Sequence, residues 1–572
     1  MKNNLANDPS PYLQQHKDNP VHWQVWSSST LKKAQENKKP ILLSVGYSSC
    51  HWCHVMAHES FEDKETAELM NKNFINIKVD REERPDIDFI FQSSYQIFNQ
   101  SGGGWPLTMF LDENAVPFMG GTYFPKKSSN GIPSFKEIIS KISDVYTEKR
   151  NEIIKQSNLI KKSLELNKTA VMDQDLESIL ENILLHLDKQ KGGYKGAPKF
   201  PTFNLHDTLL YFFNKTKKKQ YLEPVKLVLN KLCSEGIYDH VEGGIARYTV
   251  DENWLIPHFE KMLYDNAQFI ILLSKYLKID KNPYFENKIS QTIDFMNKNF
   301  VNKINGLLGS AFDADSEGEE GKYYVFSYEE LKNIKDIEKY FEIKPEGNWE
   351  GKIILREIKT PSEIVLQQLN LIRKKKKKPF FDSKSQLDLN CLWISSLVMA
   401  HNVLPNKNYL QLAENYFLSL EKVFLSEKEL FHCNFRSITF IEDYAFTIAS
   451  LLDLYESTMK TRYLIKAKEL TKKAIELFYI KKKSIFQKNK FKSNDIFHEP
   501  IDIGDHTIPN GNSIMLMNFA RLGMKLEGKD LSNSLNGYLN VYKSFMTSSL
   551  KSIDYFNMIA AGKKCNQDGC DL

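Results

Sequence analysis

A largely apolar run, Ile41-Leu42-Leu43-Ser44-Val45, hands over within a few residues to Cys50-His51-Trp52-Cys53-His54, and that junction constrains the fold more than any other stretch of the chain. The run reads as a buried strand. Two thiols with two residues between them, at a strand-to-helix corner, are placed for dithiol/disulfide chemistry. Unpaired N–H groups at a helix start and the macrodipole favour a thiolate there, and a neighbouring imidazolium adds to this, so the thiol pKa is expected below its free value of about 8.5. Cys50 is the expected attacking sulfur and Cys53, one turn on, the resolving one. The same five residues also spell a c-type haem attachment site with His54 as axial ligand, and Cys50 and Cys53 with His54 or His58 match part of a zinc site. Haem attachment needs export, and Met1 to Pro9 holds no apolar core of the secretory type, so haem ranks last. Zinc keeps some weight because Cys565 and Cys570 form a second close pair, although with four residues between them rather than two. Inert structural thiols are the third alternative.

With 572 residues the chain is too long for one ordinary core, so at least two domains are expected. Its 41% apolar and 26% charged residues are those of a soluble globular protein, and no stretch approaches the roughly 20 apolar residues of a membrane span, so no membrane role is expected. The 77 basic residues nearly balance 72 acidic ones, leaving +5, which provides no global field for nucleic acid. The basic run Arg373 to Lys378, ahead of Pro379, reads as a solvated helix C-terminus rather than a polyanion site. Seven cysteines, a low and odd count, argue against a secreted disulfide framework and for a reducing cytoplasm.

The first ~165 residues alternate strand and helix signals. A helix over Ser28 to Asn37 leads to the 41–45 strand, and another near Lys64 to Asn73 leads to a strand over Phe74 to Asp80. Gly102-Gly103-Gly104-Trp105-Pro106 then opens a strand through Leu111, a turn at Asp112-Glu113-Asn114 gives a further strand, and a helix from about Ser134 to Leu166 closes the unit. This order predicts an α/β sandwich with the cysteines at the C-terminal edge of its central strand. Pro106, heading a strand after three glycines and a tryptophan, is a plausible cis site. From about 173 onward helical periodicity dominates, in segments 173–189, 204–217, 222–235, 260–278, 283–300, 361–376, 386–402, 407–425, 441–458, 462–478, 509–526 and 529–550. Acidic, aromatic and glycine-rich loops on alternate connections suggest an (α/α)6 toroid with those loops at one end.

These features carry a resemblance. A Cys-x-x-Cys on a strand-to-helix turn, with a distant proline starting the next strand, looks like the thioredoxin fold, whose cis-proline faces the dithiol. More narrowly, Ser10-Pro11-Tyr12-Leu13, Asn19-Pro20-Val21-His22-Trp23, the Cys50–His54 pentad, Lys78 to Asp86 and Gly120-Gly121-Thr122-Tyr123-Phe124-Pro125 resemble the spermatogenesis-associated protein 20 family. The resemblance continues through 192–201, Pro257 to Gln268, Asp313 to Gly318 and Glu442-Asp443-Tyr444-Ala445. It implies a thioredoxin-like α/β domain over 1–168 and an all-α, six-hairpin-glycosidase-like (α/α)6 toroid over 169–572, with no established substrate. The later third departs from the pattern at Leu389, where a tryptophan is usual, at Pro509-Asn510-Gly511-Asn512, and in an abbreviated 479–500.

Sugar chemistry needs paired carboxylates, or a carboxylate with an imidazole, in a pocket lined by aromatic faces. Catalytic candidates are Cys50, Cys53 and Pro106 in the first domain, and Asp239, His258, Asp265, Asp313 and Asp443 in the second. Candidates for ligand binding are Tyr194, Tyr238, His240, Trp254, Tyr264, Asp315 and Tyr444, with Asp251 and Glu260 also in reach. The structural alternative is that aspartates in glycine-rich loops cap helices, and that Glu260 with Lys261 is a helix-surface pair. The loops 192–201, 236–258 and 309–318 are expected to form one pocket that His258 and Asp313 reach, favouring neutral or cationic polyols over phosphorylated ones. A protein-thiol partner at Cys50/Cys53 and a carbohydrate-like molecule in the toroid are the expected partners; no cofactor, metal, nucleic acid or membrane is called for. The rival expectation is a non-catalytic binding or scaffold protein whose Cys50–His54 corner is packed or holds zinc.

Overall fold

The computed structural model describes residues 1–128, 131–166, 175–425, 429–491 and 495–563, with the backbone of 565–566 and 569–570. The side chains of Cys565 and Cys570, and with them the second cysteine pair, lie outside the described residues. Two compact units are present. One is Met1–Asn167 with Gln487–Ile501, the other Lys168–Phe486 with Asp502–Leu572. A single division at 168/169 would leave 487–501 in the second unit. Instead Asn489 Nδ2 donates to Asp86 Oδ2 at 2.8 Å, Asp495 pairs with Arg84 at 2.9 Å, and Phe497 lies against Phe91, so the segment packs in the first.

The first unit is built on a five-stranded sheet in the order β1 (Gln24–Val25), β3 (Ile75–Asp80), β2 (Ile41–Gly46), β4 (Leu107–Leu111) and β5 (Pro117–Gly121). Strands β1 and β2 run parallel to β3, whereas β4 and β5 are antiparallel to their neighbours. Its helices are α1 (Ser28–Asn37), α2 (His51–Met56), α3 (Lys64–Asn73), α4 (Pro85–Asn99), α5 (Phe135–Glu148) and α6 (Arg150–Ser163). This is the thioredoxin-like arrangement. Every residue of β2 is buried because the strand is central and covered on both faces, which is why it reads as a run rather than an alternation. Where one helix was expected to Leu166, Lys149 leaves helical geometry, and Tyr146 and Arg150 on either side both turn onto Glu113.

Strand β3 shows what its sequence means. Ile75, Ile77 and Val79 enter an apolar core with Ile41, Leu43, Val45 and Met109, so alternation sends Asn76, Lys78 and Asp80 to the opposite face. Register sets Ser44 beside Lys78 and Thr108, and Gly46 beside Asp80. That face is buried as well, and so the sheet carries a buried polar row along the strands that feed the cysteine corner.

The second unit contains α7 (Leu176–Leu184), α8 (Phe203–Thr216), α9 (Lys219–Ser234), α10 (Leu263–Leu277), α11 (Pro283–Asn299), α12 (Leu387–Val403), α13 (Tyr409–Phe424), α14 (Ile441–Thr458), α15 (Thr461–Phe478), α16 (Gly511–Leu522), α17 (Lys525–Tyr542) and α18 (Thr547–Ala560). Helices α8, α10, α12, α14, α16 and α18 each pack on the next, and α18 returns to α8, closing an inner ring. Their partners α9, α11, α13, α15 and α17 follow them outside, and α7 completes the set against α18. The inner helices are buried nearly all round, as α12 is from Leu387 to Ala400, while outer helices such as α15 bury one stripe. Turns from inner to outer helices are short: 217–218, 278–282, 404–408, 459–460 and 523–524. Helices joined by such turns pack antiparallel, so all inner helices point the same way and the outer-to-inner loops gather at their N-terminal end.

Two expected helices differ. The segment 361–376 forms Glu363–Arg373, which is not a ring helix: Val365 and Leu369 join Phe326, Phe341 and Leu355 in a separate core within the long 300–386 connection. The segment 529–550 is two helices, broken at Lys543–Met546 with no glycine or proline to announce it; Met546 is fully buried, and its packing replaces a local stop signal. The basic run is also more than a solvated end, because Arg373 is buried on Asp239 and Lys376 reaches Val325 O and lies over Phe326, while Lys374, Lys375, Lys377 and Lys378 are exposed. Among the described residues no helix is long and apolar enough to cross a membrane.

Candidate functional site

Strand β2 ends at Gly46, and Tyr47-Ser48-Ser49 carry the chain to Cys50, which caps α2 with its sulfur accepting from Cys53 N at 3.3 Å. Cys50 and Cys53 form a disulfide, Sγ–Sγ 2.26 Å and Cα–Cα 5.3 Å. The Trp105–Pro106 peptide that precedes β4 is cis. In the disulfide both sulfur-bearing residues are buried, Cys50 at 3% exposed and Cys53 at 1%. The surface here belongs to Trp52, 48% exposed and tilted on Tyr123 at 5.1 Å, and to Trp105, whose indole covers Arg81 at 3.9 Å and donates to Asp88 at 2.8 Å. Tyr123 donates to Glu59 at 2.6 Å; burial and that carboxylate push its hydroxyl up to about 12.

Beneath the corner the buried row comes into play. Lys78 Nζ donates to Ser44 Oγ at 2.9 Å and is ringed by Phe61, Tyr12 and Trp23 at 4.6, 5.1 and 5.2 Å. Burial lowers this amine well below the ordinary lysine value. His16, bonded to Asn19 Oδ1 at 3.0 Å, is likewise held well below its usual range by burial and then by Lys78. Asp80 accepts from Ser10 Oγ at 3.1 Å and from Glu82 N.

In the toroid the three loops singled out from sequence do meet at the N-terminal end of α10. Lys199 bridges Thr249, Trp254 Nε1 donates to Lys191 O, and Phe200 stacks on Tyr248 at 4.6 Å. Lys261 and Met262 pair with Phe312 and Ala311, and Ser310 O accepts from Leu263 N. At the junction His258 Nδ1 lies 2.6 Å from Glu320 and Nε2 3.5 Å from Glu260, while Arg247 pairs with Glu260 at 3.0 Å. Burial opposes charge on His258, but Glu260 and Glu320 outweigh it and raise its pKa. Asp265, in the first turn of α10, has an Oδ2 with no hydrogen-bond partner; burial, with Glu260 adding and Arg247 opposing, pushes this carboxyl well above its usual range. Exposed Phe200, half-buried Tyr248 and buried His258, with rings 4.6 and 5.0 Å apart, lead from the surface to this group.

Other candidates are held otherwise. Asp239 bridges Arg373 and Lys261 at 2.5 and 2.7 Å; burial opposes its charge, but the two cations hold the carboxyl far below its usual range. Both nitrogens of His240 are engaged, by Glu357 and Glu235 O at 3.0 Å each. Tyr238 Oη meets Thr292 inside, and Trp254 is fully buried at φ 65°. Tyr444 turns outward onto Phe478 of α15. Asp313 accepts from Asp315 N at 3.1 Å and Asp315 pairs in register with Glu320, so both shape the hairpin that presents Glu320 to His258. Tyr194 is half-buried in its bridge to Leu187, and Tyr264 is buried on α10.

Asp443 belongs to a group that the sequence reading did not assemble. His432 Nδ1 lies 2.8 Å from Asp443 Oδ1 and 4.0 Å from Asp388 Oδ1, all three buried and with ligand atoms within 4.8 Å of one another. Burial, with Asp443 adding and His432 opposing, pushes Asp388 up to about 7. A signal was present: Asp265, Asp388 and Asp443 each sit in the first turn of an inner helix, where the helix dipole favours a carboxylate.

The family described as "Thioredox_DsbH: Protein of unknown function, DUF255" matches residues 2–165. An uncharacterized protein of Caenorhabditis elegans is 32% identical over 94% of this chain and 82% of its own length. Human spermatogenesis-associated protein 20 is 30% identical over 83% of this chain and 70% of its own length. Among solved structures, cellobiose 2-epimerase from Bacillus thermoamylovorans aligns with 64% of this chain and 87% of its own at 13% identity and a TM-score of 0.43. Cellobiose 2-epimerase from Spirochaeta thermophila aligns with 67% and 94% at 11% identity and a TM-score of 0.42.

Proposed function

The chain belongs to the spermatogenesis-associated protein 20 family, and from that premise we propose that it is a cytoplasmic thiol–disulfide oxidoreductase in which Cys50 and Cys53 exchange two electrons with a protein-thiol partner. The observation that carries this reading is the Cys50–Cys53 disulfide at the strand-to-helix corner of a thioredoxin-like sheet. In the forward step a partner thiolate attacks Cys50 Sγ, the Cys50–Cys53 bond breaks, and its electron pair leaves on Cys53 Sγ. A second partner thiolate then displaces Cys50 from the mixed disulfide, leaving the partner oxidised and Cys50/Cys53 as a dithiol. Exposed Trp52 and the Trp105 face offer the partner an aromatic platform beside the sulfurs, where aromatic residues commonly anchor contacts. The test is turnover: the full chain should accelerate dithiothreitol reduction of a model protein disulfide, and Cys50→Ser should abolish the acceleration. Equal rates for the two would sink the proposal.

A second reading concerns the toroid. His258, Glu260, Asp265 and Glu320, reached through Phe200 and Tyr248, combine raised carboxyl and imidazole pKa values with an aromatic approach, which suits a neutral polyol or carbohydrate-like ligand. Burial raises the Asp265 carboxyl pKa, and Glu260 with Glu320 outweighs burial to raise that of His258, so both groups hold their protons more tightly than usual and can offer them to ligand hydroxyls. Titration calorimetry of the full chain against a panel of neutral saccharides, with Asp265→Asn as control, tests it; heats identical for both proteins, or none for any sugar, contradict it.

A further inference from the structure

Gly46 sits where β2 ends, and its missing side chain marks a crowded point. A Cβ built there would lie 2.2 Å from Tyr12 Oη and 2.8 Å from Cys53 Sγ. At those distances from one point, the hydroxyl and the sulfur cannot be more than 5.0 Å apart. Tyr12 is fully buried, yet its Oη has no hydrogen-bond partner among the described residues. A buried hydroxyl left unpaired costs on the order of 1–3 kcal/mol, and such a group calls for an explanation, a redox or catalytic role among them. Cysteine sulfur in a disulfide is a poor acceptor, whereas a thiolate is a good one. The state that opens the Cys50–Cys53 bond therefore creates an acceptor beside an idle donor.

We propose that Tyr12 is a positioning residue for the resolving sulfur, donating its phenolic hydrogen to Cys53 Sγ when the Cys50–Cys53 bond opens. The inference deepens the redox reading above and rests on it. When a partner thiolate attacks Cys50, the bond's electron pair passes to Cys53 Sγ, and the Tyr12 hydrogen bond stabilises that thiolate without itself transferring a proton. In the reverse step Cys53 thiolate attacks the mixed disulfide at Cys50 and Tyr12 is released again. Tyr12 is held for this use from behind: its ring covers Lys78, and its edge meets His16 at 5.1 Å, so the hydroxyl is aimed by packing rather than by a competing acceptor.

The experiment reads the Cys53 thiol directly in the full-length protein. In a Cys50→Ser background, thiolate absorbance is followed against pH and corrected by the Cys50→Ser/Cys53→Ser double variant, with and without Tyr12→Phe. The other titratable groups around the corner, His16, His51, His54, His58, Lys78 and Asp80, are common to both proteins and cancel in the comparison. Tyr12→Phe should raise the Cys53 midpoint by about one pH unit or more, the size of a hydrogen bond to a charged group. It should also slow Cys53 release of a mixed disulfide formed at Cys50 in the otherwise native chain. A midpoint unchanged by Tyr12→Phe, in a protein with native circular dichroism, overturns the proposal even if the dithiol cycles. Conversely, a shifted midpoint in a chain that never turns over supports the hydrogen bond and counts against the oxidoreductase reading alone. If Tyr12→Phe fails to fold, Tyr12→Met supplies the same comparison.

Discussion

The cysteine corner and the loop end of the toroid both bury polar groups, and they treat them in opposite ways. In the toroid the buried charges cancel within small sets: Asp239 with Arg373 and Lys261, His240 with Glu357 and Lys288, Glu260 with Arg247 and His258, His432 with Asp443. At the corner Lys78 has a serine and three aromatic rings for company, and the Tyr12 hydroxyl has no hydrogen-bond partner among the described residues. Buried sets that cancel are a scaffold, since removing one member strands the others. At the corner the unused Tyr12 hydroxyl lies beside Cys53 Sγ, where it can face a negative charge when a disulfide opens. The contrast therefore separates a rigid frame from a place built to change charge.

The largest effect expected from this contrast is at Asp239. Asp239→Ala leaves Arg373 and Lys261 buried and unpaired, which should cost about 3–5 kcal/mol of stability in urea unfolding. Lys78→Met is the matched change at the corner. Replacing an amine that burial already disfavours as a cation by an apolar chain of similar volume should cost less than about 1.5 kcal/mol. Equal penalties at the two sites would erase the distinction.

Next in size are two pH slopes. Lys78 binds its proton less tightly folded than unfolded, so the native state gains stability as pH rises from the depressed value toward 10.5; Lys78→Met should flatten that gain. Asp388 has the opposite sign. With its carboxyl at about 7, its contribution is complete below the ordinary aspartate pKa and is lost as pH rises through about 7, and Asp388→Asn should remove that loss. Thermal melts from pH 4 to 10 would show both; a slope unchanged in either variant contradicts the corresponding assignment.

Much of this was legible in the sequence, and the omissions share a cause. The Cys-x-x-Cys corner, the strand run behind it and the proline that turns out cis are local patterns, as is the alternation of short and long helix connections that makes the ring. What stayed hidden depends on partners far along the chain. Asn489 and Asp495 reveal their place only through Asp86 and Arg84, and Asp239 reads as a site residue until Arg373, at the end of the helix Glu363–Arg373, takes its carboxylate. Asp388, in the first turn of α12, and His432, in the loop before α14, gain meaning only beside Asp443. The break before α18 has no stop residue; it is made by burying Met546.

The smallest effect is at the rim of the toroid loops. Phe200 is exposed and touches Tyr248, so Phe200→Ala should change stability by under about 1 kcal/mol while weakening any saccharide that binds along the Phe200–Tyr248–His258 line. A stability loss as large as that of Asp239→Ala would place Phe200 in the frame instead.

The central claim is that Cys50 and Cys53 are a working couple rather than a fixed staple. It is tested most directly by equilibrating the full chain across a series of dithiothreitol ratios and trapping the free thiols for mass measurement. A single reversible two-electron transition, absent in Cys53→Ser, is the predicted result. A Cys50–Cys53 pair that stays oxidised, or stays reduced, at every poise would contradict it.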